Sequence, residues 1–285
     1  MDTVLINFVL GVSFGFVLFL LGTGLSLTLG LMRIINLSHG ALYMVGAYVG
    51  LTAAKFTDNF LCGVFAGGIA AGLIGMLQEV GFLRRLYKRP SDQVLLTIGS
   101  VYVLVNLVQW IWGPIPQAAF IPPILSGAIP MGRINLPVFR IAIIAFGLLA
   151  AAGLWFFQEK TRFGAIIRAG MDNKEMTTGL GINLKVVFTG VFALGSFIAG
   201  FCGLFGASSL GINLDIGWSA LSLSMIVVII GGTGSIQGAL VGGLIIGIVD
   251  AYGKAFFPEL AYFTIYLVFI IVLLFRPNGL LGRAF

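Results

Sequence analysis

Charge is what this chain has least of. Only 9% of its 285 residues are charged, 16 Lys and Arg against 10 Asp and Glu, while 59% are hydrophobic. Soluble domains carry about 25% charged residues, so a water-facing surface for a fold of this size is excluded. The same apolar excess excludes a disordered chain. Cysteine occurs twice, at Cys62 and Cys202, in apolar stretches far apart, which excludes a disulfide framework and a cysteine metal site. Histidine occurs once, at His39; without clustered carboxylates it makes no metal centre. No nucleotide-binding motif is present, so the chain cannot drive ATP hydrolysis alone. The net charge of +6 reads as loop cations that orient membrane spans, not as a nucleic-acid surface.

What is present is one apolar run after another. They lie near 5–31, 34–56, 60–82, 94–113, 137–157, 186–208, 219–231, 236–252 and 260–275. A span needs about 20 apolar residues, and long continuous runs indicate helices, not the short alternating strands of a barrel. The fold class is therefore all-α, a polytopic transmembrane helical bundle of about eight to ten spans, with broken helices near 34–42 and 231–238. Met1-Asp2-Thr3 lacks a basic n-region and a cleavage site, so the first run is expected to remain as a span.

Basic residues set the sides. Arg84, Arg85, Lys88 and Arg89 form one basic loop, and Lys160, Arg162, Arg168, Lys174 and Lys185 populate a second. Two spans separate them, so both fit the cytoplasmic side. Segment 114–136 has five prolines and Arg133 as its only charge, which suits an outside loop. Arg276 and Arg283 place the C-terminus inside, and alternation places the N-terminus outside. Small-xxx-small pairs such as Gly46 and Gly50, Gly68 and Gly72, Gly238 and Gly242, and Gly243 and Gly247 read first as close helix packing.

Three segments carry chemistry. In Asn36-Leu37-Ser38-His39-Gly40, Asn36 or Ser38 is placed to cap the following helix. A helix N-terminus within the membrane attracts a carboxylate. His39 either lines a polar path or bonds a neighbouring helix. In Thr233-Gly234-Ser235-Ile236-Gln237-Gly238, Ser235 is placed to cap the helix that restarts there. Gly40-Ala41-Leu42 and Gly238-Ala239-Leu240 follow matching polar stretches, the trace of an internal repeat. Segment 159–185 is amphipathic and charged, long enough for one or two short helices ending at Gly179 or Gly181; a solvated loop and a docking helix fit it equally. Gly11-Val12-Ser13-Phe14-Gly15 matches a hydrolase elbow in letters only, because its flanks are apolar helix. Glu79, Asp215, Asp250 and Glu259 all fall near span ends or loops, which argues against proton coupling. No Arg or Lys lies mid-span to clamp a carboxylate.

At this level of detail the chain resembles a known family. Gly24-Leu25-Ser26-Leu27-Thr28-Leu29-Gly30, the run from Asn36 through Tyr48, Arg168-Ala169, Gly179-Leu180-Gly181-Ile182-Asn183, Gly231 to Gly238, and Phe275-Arg276-Pro277-Asn278-Gly279-Leu280-Leu281-Gly282 resemble, in order, the permeases of the branched-chain amino acid ABC transporter family. The likeness is to the shorter of the two permeases. The resemblance implies that 1–285 is one permease domain of an importer in the bacterial inner membrane and is not itself an enzyme. It implies a second related permease, two cytoplasmic ATPases that bind the ATP and Mg, and a periplasmic binding protein as partners; the chain itself holds no cofactor. Segment 159–185 would then be the coupling segment, with Arg168, Asp172, Glu175, Gly179 and Gly181 against an ATPase. Thr177-Thr178 depart from the alanines of the family's coupling pattern. Asn36, Ser38, His39, Gly40, Thr233, Gly234, Ser235 and Gln237 would line the translocation path. The implied cargo is a branched-chain or other small amino acid, with urea, a short amide or a small organic acid as alternatives within the same importer family. A stand-alone carrier or channel and an intramembrane enzyme using Ser13 or His39 remain as competing classes.

Overall fold

The computed structural model describes residues 2–87, 89–131 and 134–282. Lys88, Arg133 and Arg283, three of the charges used to orient the spans, lie outside the described residues. The helices are α1 (Asp2–Met32), α2 (His39–Thr57), α3 (Phe60–Gly81), α4 (Pro90–Trp112), α5 (Val138–Lys160), α6 (Arg162–Asp172), α7 (Lys174–Gly179), α8 (Leu184–Leu210), α9 (Ile216–Gly231), α10 (Ile236–Phe256) and α11 (Ala261–Phe275). Each of the nine apolar runs is a helix, and α6 and α7 occupy the charged segment between the fifth and sixth. The described residues depart from all-α in an isolated antiparallel bridge between Gln117 and Ile212 and in a hairpin in the proline-rich segment. There β1 (Ala128–Met131) pairs antiparallel with β2 (Ile134–Pro137), Ile129 opposite Leu136.

Local chemistry sets the boundaries. Pro90 opens α4 where its missing N–H costs nothing. The Asn59 side chain accepts from Cys62 N and caps α3. Glycines at positive φ, Gly113 at 80° and Gly211 at 75°, close α4 and α8.

Among the described residues, seven helices are long and apolar enough to cross a membrane: α1, α3, α4, α5, α8, α10, and α11 with its preceding turn. Two of the nine apolar helices fall outside this set by composition or length. The first, α2, is diluted by His39, Tyr43, Tyr48 and Lys55, and the second, α9, has 16 residues. Most of each is buried against other helices, with Phe56 and Trp218 among the exceptions, so neither needs a full apolar length. The outer surface is apolar where the inner helices are not: Trp110 and Ile111 on α4, Leu149 on α5, and Phe263 and Leu274 on α11 are all exposed. That is the arrangement a hydrocarbon solvent selects.

The centre is built on backbone contact. A methyl group at Gly46 of α2 would sit 2.2 Å from the Gly200 Cα of α8, and one at Gly67 of α3 would sit 2.3 Å from the Gly46 carbonyl oxygen. These three helices therefore meet where none of them has a side chain. On the other side, α1 and α10 approach antiparallel through Gly11 and Gly15 against Gly243 and Gly247. The hydrolase-like string is thus a packing face, and the Ser13 hydroxyl donates to Leu10 O of its own helix.

One end of the bundle gathers Arg84, Arg85 and Arg89, the helices α6 and α7, the second polar break and the C-terminal segment; the other gathers the hairpin and the α8–α9 turn. The contacts that fix this are Thr189 with Glu79, Met171 with Gly234, and Gln117 N donating to Ile212 O at 2.8 Å.

Gly46→Ala should lower the melting temperature in detergent steeply, because the intruding carbon meets backbone that cannot rotate away, a cost of at least about 1–3 kcal/mol. Gly99→Ala, with open space around the new carbon, should hold or raise it. Fluorescence-detected size-exclusion melts of both variants decide the point.

Candidate functional site

The first break is a polar knot at the heart of the bundle. Asn36, Ser38 and His39 are all buried. The Asn36 Oδ1 accepts from Ser38 N at 3.1 Å, and the Ser38 hydroxyl lies 2.6 Å from that oxygen and 3.0 Å from Gln78 Oε1. The expected side-chain cap on α2 is therefore not made: Ser38 is the N-cap residue, but its hydroxyl is engaged by Asn36 and Gln78. His39 Nε2 lies 3.0 Å from Leu21 O. A carbonyl only accepts, so Nε2 carries the proton and Nδ1 remains a buried acceptor without a protein partner. Helix α9 covers the start of α2, with the Gly217 carbonyl oxygen against Gly40.

This knot connects to the charged end. Next to Gln78, the fully buried Glu79 carboxylate accepts from the Thr189 hydroxyl at 2.5 Å and from the Tyr87 hydroxyl, and pairs with Arg84 at 3.4 Å. Burial, then the adjacent carboxylate, pushes the Tyr87 hydroxyl far above its ordinary pKa, which keeps it a donor. Tyr87 packs edge-on to Phe188 at 5.3 Å, and the Lys174 Nζ sits 5.5 Å from the same ring's centroid. Lys174 also reaches Met32 O at 3.4 Å. Burial, with Arg33 adding its positive charge, lowers its pKa. A continuous set of contacts thus runs from Asn36 to the first residue of α7.

The second break lies at the charged end, not beside the first. Gly232 at φ 98° and Gly234 at φ 79° turn the chain in a conformation that side chains other than glycine rarely adopt. Gly234 N donates to Ser26 Oγ of α1 at 2.9 Å, and the Ser235 hydroxyl accepts from Gly238 N at 2.9 Å, the expected cap on α10. The C-terminal segment completes the turn. Leu280 N and Leu281 N donate to Ile230 O and Gly231 O at 2.7 and 3.1 Å, satisfying carbonyls that the end of α9 would otherwise leave free. Thr233, Gly234, Ser235 and Gln237 line a cleft of about 160 Å³ together with Glu159 and Asp172.

The coupling residues divide. Arg168 turns back to pair with Glu159 at 3.6 Å, and Asp172 faces the cleft. Glu175, Gly179 and Gly181 are exposed with Met176 and Leu180, and an added carbon at Gly179 or Gly181 meets nothing within 4 Å. Asn173 caps α7 by accepting from Met176 N at 2.9 Å, and Thr161 caps α6 by accepting from Gly164 N at 3.1 Å. Of the eight path residues, the four in each break stay together and the two groups stay apart. Sequence reasoning missed the Glu79 cluster and the docking of Leu280 and Leu281. The Pro277-Asn278-Gly279 turn signal marked a stop but not its receptor.

Residues 7–273 match the model of the branched-chain amino acid transport system permease component family. The chain is 29% identical to the high-affinity branched-chain amino acid transport system permease protein BraD of Pseudomonas aeruginosa, over 96% of this chain and 94% of the relative. It is 30% identical to the corresponding LivH protein of Salmonella typhimurium, with the same coverage. It is also 28% identical to the galactose/methyl galactoside import permease MglC of Escherichia coli, over 68% of this chain and 58% of the relative. No solved structure matches.

Ser235→Ala removes a side-chain cap worth about 1 kcal/mol and should lower the melting temperature by about 2–4 °C for a chain of this size. Ser235→Thr keeps the oxygen and should restore most of the loss. Equal melts for all three proteins would show that the cap does not hold the second break.

Proposed function

The chain belongs to the family of branched-chain amino acid transport permease components, and from that membership we propose that it is the permease subunit of an ATP-binding cassette importer carrying hydrophobic amino acids. The observation that carries the reading is likeness along the whole chain: the family model runs from residue 7 to 273, and relatives of that description match over 96% of the chain. The setting is the bacterial inner membrane. With basic residues gathered at one end, that end is assigned to the cytoplasm, and the C-terminal segment that docks there goes with it.

The partners follow from the same reading. A second related permease completes the pore, two cytoplasmic ATPases bind ATP and Mg, and a periplasmic binding protein delivers cargo. This subunit contributes no catalytic group and no cofactor. The single domain 1–285 contains the coupling segment 159–185.

The exposed face of α7 supports that assignment. Met176 and Leu180 are 68% and 74% exposed at an end where the surrounding chain is charged, so they offer apolar anchors beside Glu175. A push on this face is opposed by two connections. Through Lys174, Phe188 and Tyr87 it reaches α8 and the Glu79 cluster, and so the Asn36–Gly40 knot. Through Met171 and Asp172 it reaches the second break, whose glycine-built turn joins α9 to α10. ATP-driven closure of the ATPases would shift these elements together and alternate the access of the path between the two permeases.

Gly179→Leu adds bulk into open space on α7, so membrane insertion and detergent stability should be unchanged. ATP-driven uptake should fall at least tenfold, or the ATPases should fail to co-purify. Normal uptake and normal assembly by this variant would remove α7 from the ATPase interface.

A further inference from the structure

The coupling scheme leaves one groove on the outer face of the bundle unused. Helix α4 packs on α2 and on the turn that follows α3, but Leu77 on the body of α3 stays 70% exposed. Between α3 and α4 lies an open space of about 460 Å³. Ile74, Leu77 and Phe82 form one wall, and Leu96, Val103 and Leu104 form the other. Gln78 and Ser100 complete the lining, and both are engaged. The Ser100 hydroxyl donates to Leu96 O at 2.9 Å, and Gln78 Oε1 accepts from the Ser38 hydroxyl. At Gly99, also in the lining, an added carbon would meet nothing within 4 Å.

The length of the groove selects its occupant. From Phe82 to Ile74, and from Leu96 to Leu104, each wall runs about 12 Å at the helical rise. One leaflet of hydrocarbon is about 15 Å deep, half of the bilayer core. The groove therefore starts at the basic end and stops near mid-membrane. A neighbouring transmembrane helix crosses both leaflets and would leave a seat of its own length. The mouth is cationic. Residues 79–92, from the end of α3 to the start of α4, hold four cations and two carboxylates. Arg84 pairs with Glu79, and Arg89 lies 3.7 Å from Asp92 while remaining 74% exposed. Arg85 is exposed and has no side-chain partner among the described residues. Basic residues beside a gap between membrane helices are what an anionic headgroup recognises.

We propose that this groove binds an anionic glycerophospholipid from the leaflet at the basic end, with one acyl chain between α3 and α4 and the phosphate headgroup on Arg85 and Arg89. The apolar walls take the chain, and the cations choose the headgroup. A zwitterionic lipid fits the walls equally but brings a cation of its own to the mouth. The bound chain lies against Gln78, whose side chain reaches Ser38, so an occupied groove braces the contact between α3 and the central polar knot.

The test uses the full chain, co-expressed with its neighbouring subunits, delipidated in mild detergent and titrated with phosphatidylglycerol or phosphatidylcholine. Retained lipid is counted on the intact assembly by native mass spectrometry. The parent should retain one more phosphatidylglycerol per copy of this chain than Gly99→Phe, which fills the groove and leaves its charges alone. Phosphatidylcholine should show no such difference. The double variant Arg85→Gln, Arg89→Gln should weaken retention at least about tenfold, and Arg85→Lys with Arg89→Lys should keep most of it. Should Gly99→Phe fail to fold, the arginine variants decide the matter, because they alter only exposed side chains. A photo-cross-linking amino acid placed at Val103 should attach to lipid. The proposal is overturned if folded variants retain phosphatidylglycerol like the parent, if phosphatidylcholine binds equally well, or if the Val103 cross-link goes to another permease chain. None of these measurements needs ATP or cargo, so their outcome stands apart from the importer reading.

Discussion

Contact between helix backbones is the constraint on which this structure depends. In hydrocarbon there is no hydrophobic force between helices, so stability comes from van der Waals approach and satisfied polar groups. Where Gly46, Gly67 and Gly200 meet, α2, α3 and α8 come as close as main chains permit. The pairs Gly11–Gly247 and Gly15–Gly243 do the same for α1 and α10. These seams hold the diluted helix α2 in the interior, and only an interior position tolerates its buried Asn36, Ser38 and His39. A looser bundle would admit lipid to polar groups that have no partner there.

The same closeness organises the two ends differently. At the charged end, polar groups are tied into chains of contact: Ser38 to Gln78, Glu79 to Thr189 and Tyr87, and Phe188 to Lys174. The second break is locked by the C-terminal segment and by Ser26. Motion imposed on α7 therefore has stiff routes inward. At the opposite end, Lys254 pairs with Asp250 and Arg140 donates to Ser209 beside a cavity of about 300 Å³.

Much of this was legible from residue pattern. All nine apolar runs are helices, α7 stops at Gly179, and Ser235 caps α10, because each follows from local periodicity or from one side chain reaching a nearby N–H. Asn36 or Ser38 was expected to cap α2 as Ser235 caps α10, and the N-cap residue Ser38 makes no such bond. Its hydroxyl bonds across to Gln78, 40 residues away, and no local signal reports that. The likeness of the two breaks in sequence likewise concealed their separation: one is enclosed at the centre, and the other lies at an end beside α6. Acidic residues near span ends read as ordinary loop charges, yet Glu79 is fully buried among three partners.

Composition and periodicity alone determined that this is a helical membrane protein, where its helices run, which segments are basic and where its chain breaks. Those properties come from interactions within a few residues and from the solvent each residue prefers. Tertiary structure alone decided which helices are enclosed, that the C-terminal segment closes the second break, and that Asn7, Arg140, Ser209 and Asp250 share one cavity. These groups are up to 243 residues apart in a chain of 285. Their meeting depends on how glycine faces pack, and packing is a property of the assembled bundle, not of any segment in it.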